Sequence, residues 1–265
     1  MNASTCTWLK MTRQAGENMQ QEVQIGPVFL GPGHPTRIIA PLTGSTWDAL
    51  VDEIDNLHGE PIDLAEWRAD MWPDPDELAS VCSAVVQRCP VPVLATIRTI
   101  DEGGCSALDE NAYAHNVRNL AVLAPCVDVE ARWPSSAQIV NDAHNDGSTV
   151  IISAHNWELT PSPEEITRQL EQMAALDGDI VKVAYRAHSH ADADAIMQAG
   201  RWAMSHLDVP TICIGMGEAG VATRLAGPEF GLAATFATVG ASSAPGQLPA
   251  QQVAHTLRGH AHRAH

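Results

Sequence analysis

The chain has 265 residues, 45% of them hydrophobic, with 32 acidic against 15 basic side chains and a formal net charge of −17. That length accommodates one large core and is close to the roughly 250 residues of an eightfold α/β barrel, while the acidic balance argues against non-specific binding to nucleic acid or an anionic membrane, which need a basic surface. No apolar run nears the roughly 18 residues of a membrane helix; six cysteines (Cys6, Cys82, Cys89, Cys105, Cys126 and Cys213) without C-x-x-C spacing, and no signal-peptide pattern, point to a cytoplasmic protein with reduced thiols.

Residues 1–24 are polar and lack sustained periodicity, so they read as a disordered extension, with 25–265 forming a single domain. The patch Val28-Phe29-Leu30, closed by Gly31-Pro32-Gly33, predicts a short hairpin-like segment ahead of the first strong strand. Strand-like runs then recur at 37–42, 62–69, 91–98, 126–132, 149–156, 179–185, 210–216 and 230–239. Helical spacing appears between them, as in Trp47-Leu50-Val51-Ile54, Leu78-Val81-Cys82-Val85 and Ile166-Leu170-Met173. Thr160-Pro161-Ser162-Pro163-Glu164-Glu165 is a clear helix start, with proline and early acids suited to the helix dipole. Strands alternating with helices imply a parallel sheet, and eight repeats of about 30 residues favour closure into a (β/α)8 TIM barrel over an open sheet. No G-x-G-x-x-G follows the first strand, which weakens a dinucleotide-binding reading.

In such a barrel, chemistry gathers at the C-terminal ends of the strands. The second run ends Glu66-Trp67-Arg68-Ala69-Asp70, and a period of two puts Glu66 and Arg68 on one face with Ile62 and Leu64. The third ends at Arg98, four residues before Glu102-Gly103-Gly104. The fourth alternates Asp128, Glu130 and Arg132 against Val127, Val129 and Ala131, and the fifth ends Ser153-Ala154-His155-Asn156. The sixth, Asp179-Ile180-Val181-Lys182-Val183-Ala184-Tyr185, holds one of only two lysines in the chain, the other being Lys10. An ammonium group inside an apolar strand is rare. Either the side chain snorkels from an edge strand, or desolvation lowers its pKa and leaves a neutral amine able to attack a carbonyl and form a Schiff base. Each of the other polar residues alone is compatible with a structural ion pair. Together they place an amine, a histidine, glutamates and arginines on one rim, a set suited to covalent and acid/base chemistry.

Other constellations are weaker. The stretch His188-Ser189-His190-Ala191-Asp192-Ala193-Asp194 has metal-binding residue types but no scaffolded ligand set, so no metal site is expected. Ser243, His155 and Asp128 do not make a hydrolase triad, since no G-x-S-x-G elbow accompanies them.

With these residues in view, the chain resembles the type I 3-dehydroquinate dehydratases over almost all of its length after about residue 27. The resemblance is carried by Ile38-Ile39-Ala40-Pro41-Leu42, Glu66-Trp67-Arg68-Ala69-Asp70, Arg98 with Glu102-Gly103-Gly104, Ser153-Ala154-His155 and Lys182. It continues through Met216-Gly217, Arg224-Leu225-Ala226-Gly227 and Ser243-Ala244-Pro245-Gly246-Gln247. It implies a cofactor-free, metal-free homodimeric barrel that converts 3-dehydroquinate to 3-dehydroshikimate and water. It implies Lys182 as the Schiff-base lysine, His155 as the proton shuttle and Glu102 as its partner, with Glu66, Arg68 and Arg98 on substrate hydroxyls and Arg224, Ser243 and Gln247 at the carboxylate end. The small residues of 241–247 suit a lid over the substrate.

Three positions depart from the family pattern: Asn156 where an acid commonly follows the histidine, and Gly215 and Thr223 where serines are common. Of these, Asn156 removes a charge beside the base. Two alternatives stand beside the dehydratase: a class I aldolase, which also forms an imine on a barrel lysine, and a barrel that binds a cyclic polyhydroxy acid without turning it over.

Overall fold

The structure is a computed structural model that describes residues 20–240 and 246–261. It opens with an antiparallel hairpin, β1 (Val23–Ile25) and β2 (Val28–Leu30). Strand and helix then alternate: β3 (Arg37–Leu42), α1 (Trp47–Asp55), β4 (Leu64–Arg68), α2 (Leu78–Arg88), β5 (Val93–Thr96), α3 (Glu110–Ala121), β6 (Cys126–Glu130) and α4 (Ser136–Asn145). The alternation continues with β7 (Thr149–Asn156), α5 (Pro163–Ala174), β8 (Ile180–Arg186), α6 (His190–His206), β9 (Thr211–Met216), α7 (Val221–Arg224), β10 (Ala234–Thr238), the two-residue β11 (Leu248–Pro249) and α8 (Ala250–Ala261).

All pairings from β3 to β10 are parallel, and in the sheet order β11-β10-β3-β4-β5-β6-β7-β8-β9 the two-residue β11 flanks β10, leaving β10 and β9 as the first and last of the eight barrel strands on one curled surface. The seam between them is stitched by a bridge of Thr211 to Leu232, by the Ala233 amide donating to the Thr211 carbonyl at 2.9 Å, and by the Thr211 hydroxyl donating to the Gly231 carbonyl at 2.9 Å. The result is the expected (β/α)8 barrel.

Several helices begin where the sequence places a cap. Ser162 and Glu165 form a capping box ahead of Pro163, and Ser189 with Asp192 does the same for α6. The Asp192 carboxylate accepts from the backbone amides of His188 and Ser189, so this histidine-rich stretch serves to start a helix.

The alternation of side chains along each strand sorts the barrel into layers. Outward-facing Ala65, Trp67, Val127, Val129, Ile152, Val181 and Val183 pack against helix residues such as Leu50, Ile54, Val85, Val117, Ile139, Leu170 and Val253. Inward, the lowest layer takes one apolar side chain from each strand: Ile39, Leu64, Leu94, Cys126, Ile151, Ile180, Ile212 and Ala234. Ile25 and Leu30 of the hairpin pack against this layer and close the N-terminal end.

Several boundaries differ from the sequence reading. The hairpin starts at Val23, inside the stretch read as an extension, because Gln21 donates to the Asp208 carbonyl and Gln20 to that of Ala203, tying this segment to the barrel. Ile62 precedes β4 and packs with the outer cluster, so it does not share the inner face of Glu66 and Leu64. Arg98 lies two residues beyond the end of β5. The last run begins only at Ala234, since Pro228–Phe230 is a 3-10 turn bounded by Gly227 and Gly231, both with positive φ.

Candidate active site

Two residues above the apolar layer, the same strand faces turn polar: Glu66 on β4, Thr96 on β5, Asp128 on β6, Ser153 on β7 and Lys182 on β8. A further step of two brings Arg68, Glu130 and His155. Of these residues Glu66, Lys182, Arg68 and His155 line a cavity of about 320 Å³ at the C-terminal end of the barrel, while Thr96, Asp128, Ser153 and Glu130 are fully buried and outside its wall.

Eight of the nine residues expected at the site line this cavity: Lys182, His155, Glu102, Glu66, Arg68, Arg98, Arg224 and Gln247. The ninth, Ser243, lies outside the described residues, as does most of the segment read as a lid. Thr43, Met71, Cys105, Trp157, Met216 and Phe236 complete much of the wall without having been singled out for a role.

Lys182 is 5% exposed, with Nζ 3.8 Å from Glu66 Oε1, 3.9 Å from Asp128 Oδ2 and 4.4 Å from the centroid of the Phe236 ring. Burial pushes its pKa down, and Glu66 and Asp128 offset only part of that push. The central β8 position rules out the snorkelling alternative. An amine so placed is closer to its nucleophilic form than an exposed lysine.

Arg98 is the hub of the buried charge. Its guanidinium meets Asp128 Oδ1 at 2.7 Å, Glu130 Oε1 at 3.0 Å and Glu102 Oε2 at 3.3 Å, and donates to Ser153 Oγ at 3.0 Å. Glu130 also accepts from the amide and hydroxyl of Thr99, which fixes the loop carrying Glu102. Converging carboxylates would normally suit a cation, but here Arg98 and Lys182 fill that place. Among the described residues no group of His, Cys, Asp and Glu is arranged to hold a metal ion.

His155 Nδ1 lies 2.8 Å from Glu102 Oε2. Burial lowers the His155 pKa well below its ordinary value, helped by Arg98, Lys182 and Arg68, so the imidazole is neutral. Burial also raises Glu102, to about 8, against the pull of Arg98. Near neutral pH Glu102 therefore keeps its proton; once it ionises and accepts from Nδ1–H, Nε2 is left with a lone pair to take a proton. Arg68 is held by Asp70 through two bonds of 2.9 and 2.8 Å. Arg224 is buried on α7, and that burial brings its pKa down to about 10, still cationic at neutral pH.

The Glu102-Gly103-Gly104 motif is explained by crowding. Gly103 has φ +81°, and a Cβ there would sit 2.0 Å from Trp157 Nε1, which itself donates to the Glu102 carbonyl at 2.8 Å. A Cβ on Gly104 would sit 2.1 Å from the Arg98 carbonyl oxygen. Gly103→Ala is therefore expected to cost about 1–3 kcal/mol in stability and to lower turnover by displacing Glu102. Urea unfolding and kcat measured on the same preparation check this, and wild-type values for both would refute it.

Asn156 and Thr223, two of the departures from the family pattern, have local structural uses. Asn156 Oδ1 accepts from the amides of Glu158 and Leu159, turned into the loop after β7, and the Thr223 hydroxyl bridges the Gly215 amide and the Gly220 carbonyl.

Phe236, Trp157 and Asp128 were the informative omissions. Phe236 belongs to an apolar run in which nothing marks the residue that meets the lysine. Asp128 stood out in the alternation of the fourth strand, which pointed to the interior but not to Lys182.

Comparison with known proteins gives a consistent picture. A family model described as type I 3-dehydroquinase matches residues 38–262. A 3-dehydroquinate dehydratase of Alkaliphilus oremlandii is 34% identical over 248 residues, spanning 89% of this chain and 95% of its own. The crystal structure of a type I 3-dehydroquinate dehydratase from Clostridium difficile with covalently modified comenic acid superposes with a TM-score of 0.86 at 28% identity, covering 93% of this chain and all of its own. The 3-dehydroquinate dehydratase of Geobacillus kaustophilus gives a TM-score of 0.85 at 29% identity, with coverages of 90% and 95%.

Proposed function

The chain belongs to the type I 3-dehydroquinase family, and from that premise we propose that it dehydrates 3-dehydroquinate to 3-dehydroshikimate through an imine on Lys182. The observation that carries this reading is one cavity holding both a buried amine and an imidazole hydrogen-bonded to Glu102.

Lys182 adds to the C3 ketone, and loss of water gives an iminium that withdraws electrons from C2. His155 removes the C2 proton to leave an enamine. The same imidazole then delivers that proton to the C1 hydroxyl as the C1–O bond breaks, releasing water and a conjugated iminium. Water adds to C3, the C–N bond breaks, and the ketone product leaves the free amine. Glu102, once ionised, sets the imidazole tautomer and stabilises its charged form. Glu66, Arg68 and Arg98 engage ring hydroxyls. Arg224, with Gln247 and Ser243, grips the carboxylate, which needs a local cation in so acidic a protein. The protein acts without metal or cofactor, as a cytoplasmic homodimer. The free cysteines Cys82, Cys89, Cys105, Cys126 and Cys213 accord with a reducing compartment.

Mixing with 3-dehydroquinate is expected to raise dehydroshikimate absorbance, and borohydride added with substrate is expected to leave one adduct per chain on Lys182. Peptide mass mapping reads the second result cleanly, because the only other lysine is Lys10. An adduct on Lys10, or inactivation without any lysine adduct, contradicts the assignment. The aldolase and pure-binding alternatives both predict no absorbance change.

A further inference from the structure

We propose that Asp128 is the counter-ion of the iminium formed on Lys182, a carboxylate out of reach of solvent and of the substrate hydroxyls that accepts from the iminium N–H. The inference rests on the reading of Lys182 as the imine-forming residue and concerns what sustains that intermediate.

Two carboxylates flank Nζ almost equally, Glu66 at 3.8 Å and Asp128 at 3.9 Å. They differ in who can reach them. Glu66 lines the cavity, where substrate hydroxyls compete for it, and its Oε1 already accepts from Thr96 at 3.1 Å. Asp128 is 0% exposed and is not part of the cavity wall. Its Oδ1 accepts from Ser153 Oγ at 2.7 Å and lies 2.7 Å from the Arg98 guanidinium. Its Oδ2 is buried and makes no hydrogen bond. A buried carboxylate oxygen without a donor is costly to keep, and the nearby cationic group of the reaction path is the nitrogen of Lys182.

The chemistry supplies the missing donor. When the neutral amine condenses with the C3 carbonyl, a C–N bond forms, the carbonyl oxygen departs as water, and one proton is taken up. The nitrogen is left with a single N–H and a positive charge shared with C3. One N–H calls for one acceptor, and Oδ2 is the acceptor that substrate cannot occupy. The charge matters because protonated iminium, not neutral imine, draws electrons strongly enough to acidify C2.

The remaining charged groups around Nζ are Arg68 from β4 and Arg98 beyond β5, with His155 from β7, Glu102 and Arg224 in the same cavity; Arg68 and Arg98 oppose a positive charge on the nitrogen. Ile214 of β9 is apolar, and Phe236 of β10 offers only its ring face. Without Asp128, Glu66 would face two arginines alone in holding the proton on the iminium.

The test compares kcat–pH profiles of the full chain, wild type against Asp128→Asn and Ser153→Ala. Asp128→Asn keeps shape and loses charge; Ser153→Ala keeps the Asp128 charge and loses one hydrogen bond to it. For Asp128→Asn the alkaline limb of kcat is expected about one unit lower, with kcat down at least about tenfold at the wild-type optimum, KM changed less than about threefold, and borohydride still labelling Lys182. Ser153→Ala is expected to keep the wild-type alkaline limb. If Asp128→Asn yields no folded protein, Asp128→Ser, which is also neutral, is judged by the same shift. An alkaline limb that stays in place when the charge is gone overturns the proposal. Wild-type protein that forms neither product nor adduct overturns instead the dehydratase reading on which it rests.

Discussion

Replacing Lys182 with alanine is expected to abolish turnover and borohydride trapping together, a loss of roughly 10⁶-fold of the kind seen when a covalent nucleophile is removed. The reason is chemical rather than steric. Without the iminium, the C2 proton stays as weakly acidic as that of an ordinary ketone, and no neighbouring charge in this cavity replaces the electron sink. Lys182 is also the only lysine among the described residues. Lys182→Met, which keeps most of the volume, separates loss of the amine from the void that alanine leaves among Glu66, Asp128 and Phe236. Both variants should fold, as judged by circular dichroism, and neither should give product above background. Residual turnover within a hundredfold of wild type in either one would rule out covalent catalysis by Lys182.

His155→Ala should part binding and capture from chemistry. Its imidazole is neutral and sits against Glu102 at 2.8 Å, so its removal takes away the base but leaves the amine and the arginine grip in place. Turnover is expected to fall ~10²–10⁴-fold, the range for a lost general acid/base, while borohydride still traps substrate on Lys182. The order follows from acidity, because C2 can be deprotonated only after the iminium exists. A variant that turns over near the wild-type rate shows the base to be elsewhere. One that binds substrate but never forms the adduct shows that His155 also serves imine formation.

Much of this site was legible because polar residues on a barrel strand stand out against apolar neighbours. Lys182 between Val181 and Val183, Glu66 beside Trp67, and Asp128 and Glu130 around Val129 all announced an inner face. The period of two carried that far and no further. It failed at Ile62, where the chain is not yet in β4, and at the last strand, where glycines with positive φ delay entry until Ala234. Pairing register also escaped it. That Ser153 stands opposite Lys182, and Glu130 opposite Ser153, depends on how far each strand is staggered against the next, which no single strand encodes. Asp128 was therefore visible as an interior acid but not as a neighbour of the lysine. Trp157 and Cys105 sit on loops, where no periodicity indicates what a side chain faces.

The apolar floor beneath Lys182, sealed by Ile25 and Leu30 of the hairpin, makes the barrel a cup rather than a pipe. Under the proposed chemistry, traffic has to share the open end. Substrate, product, the water expelled from C1 and the water that later cleaves the C–N bond all use that same end.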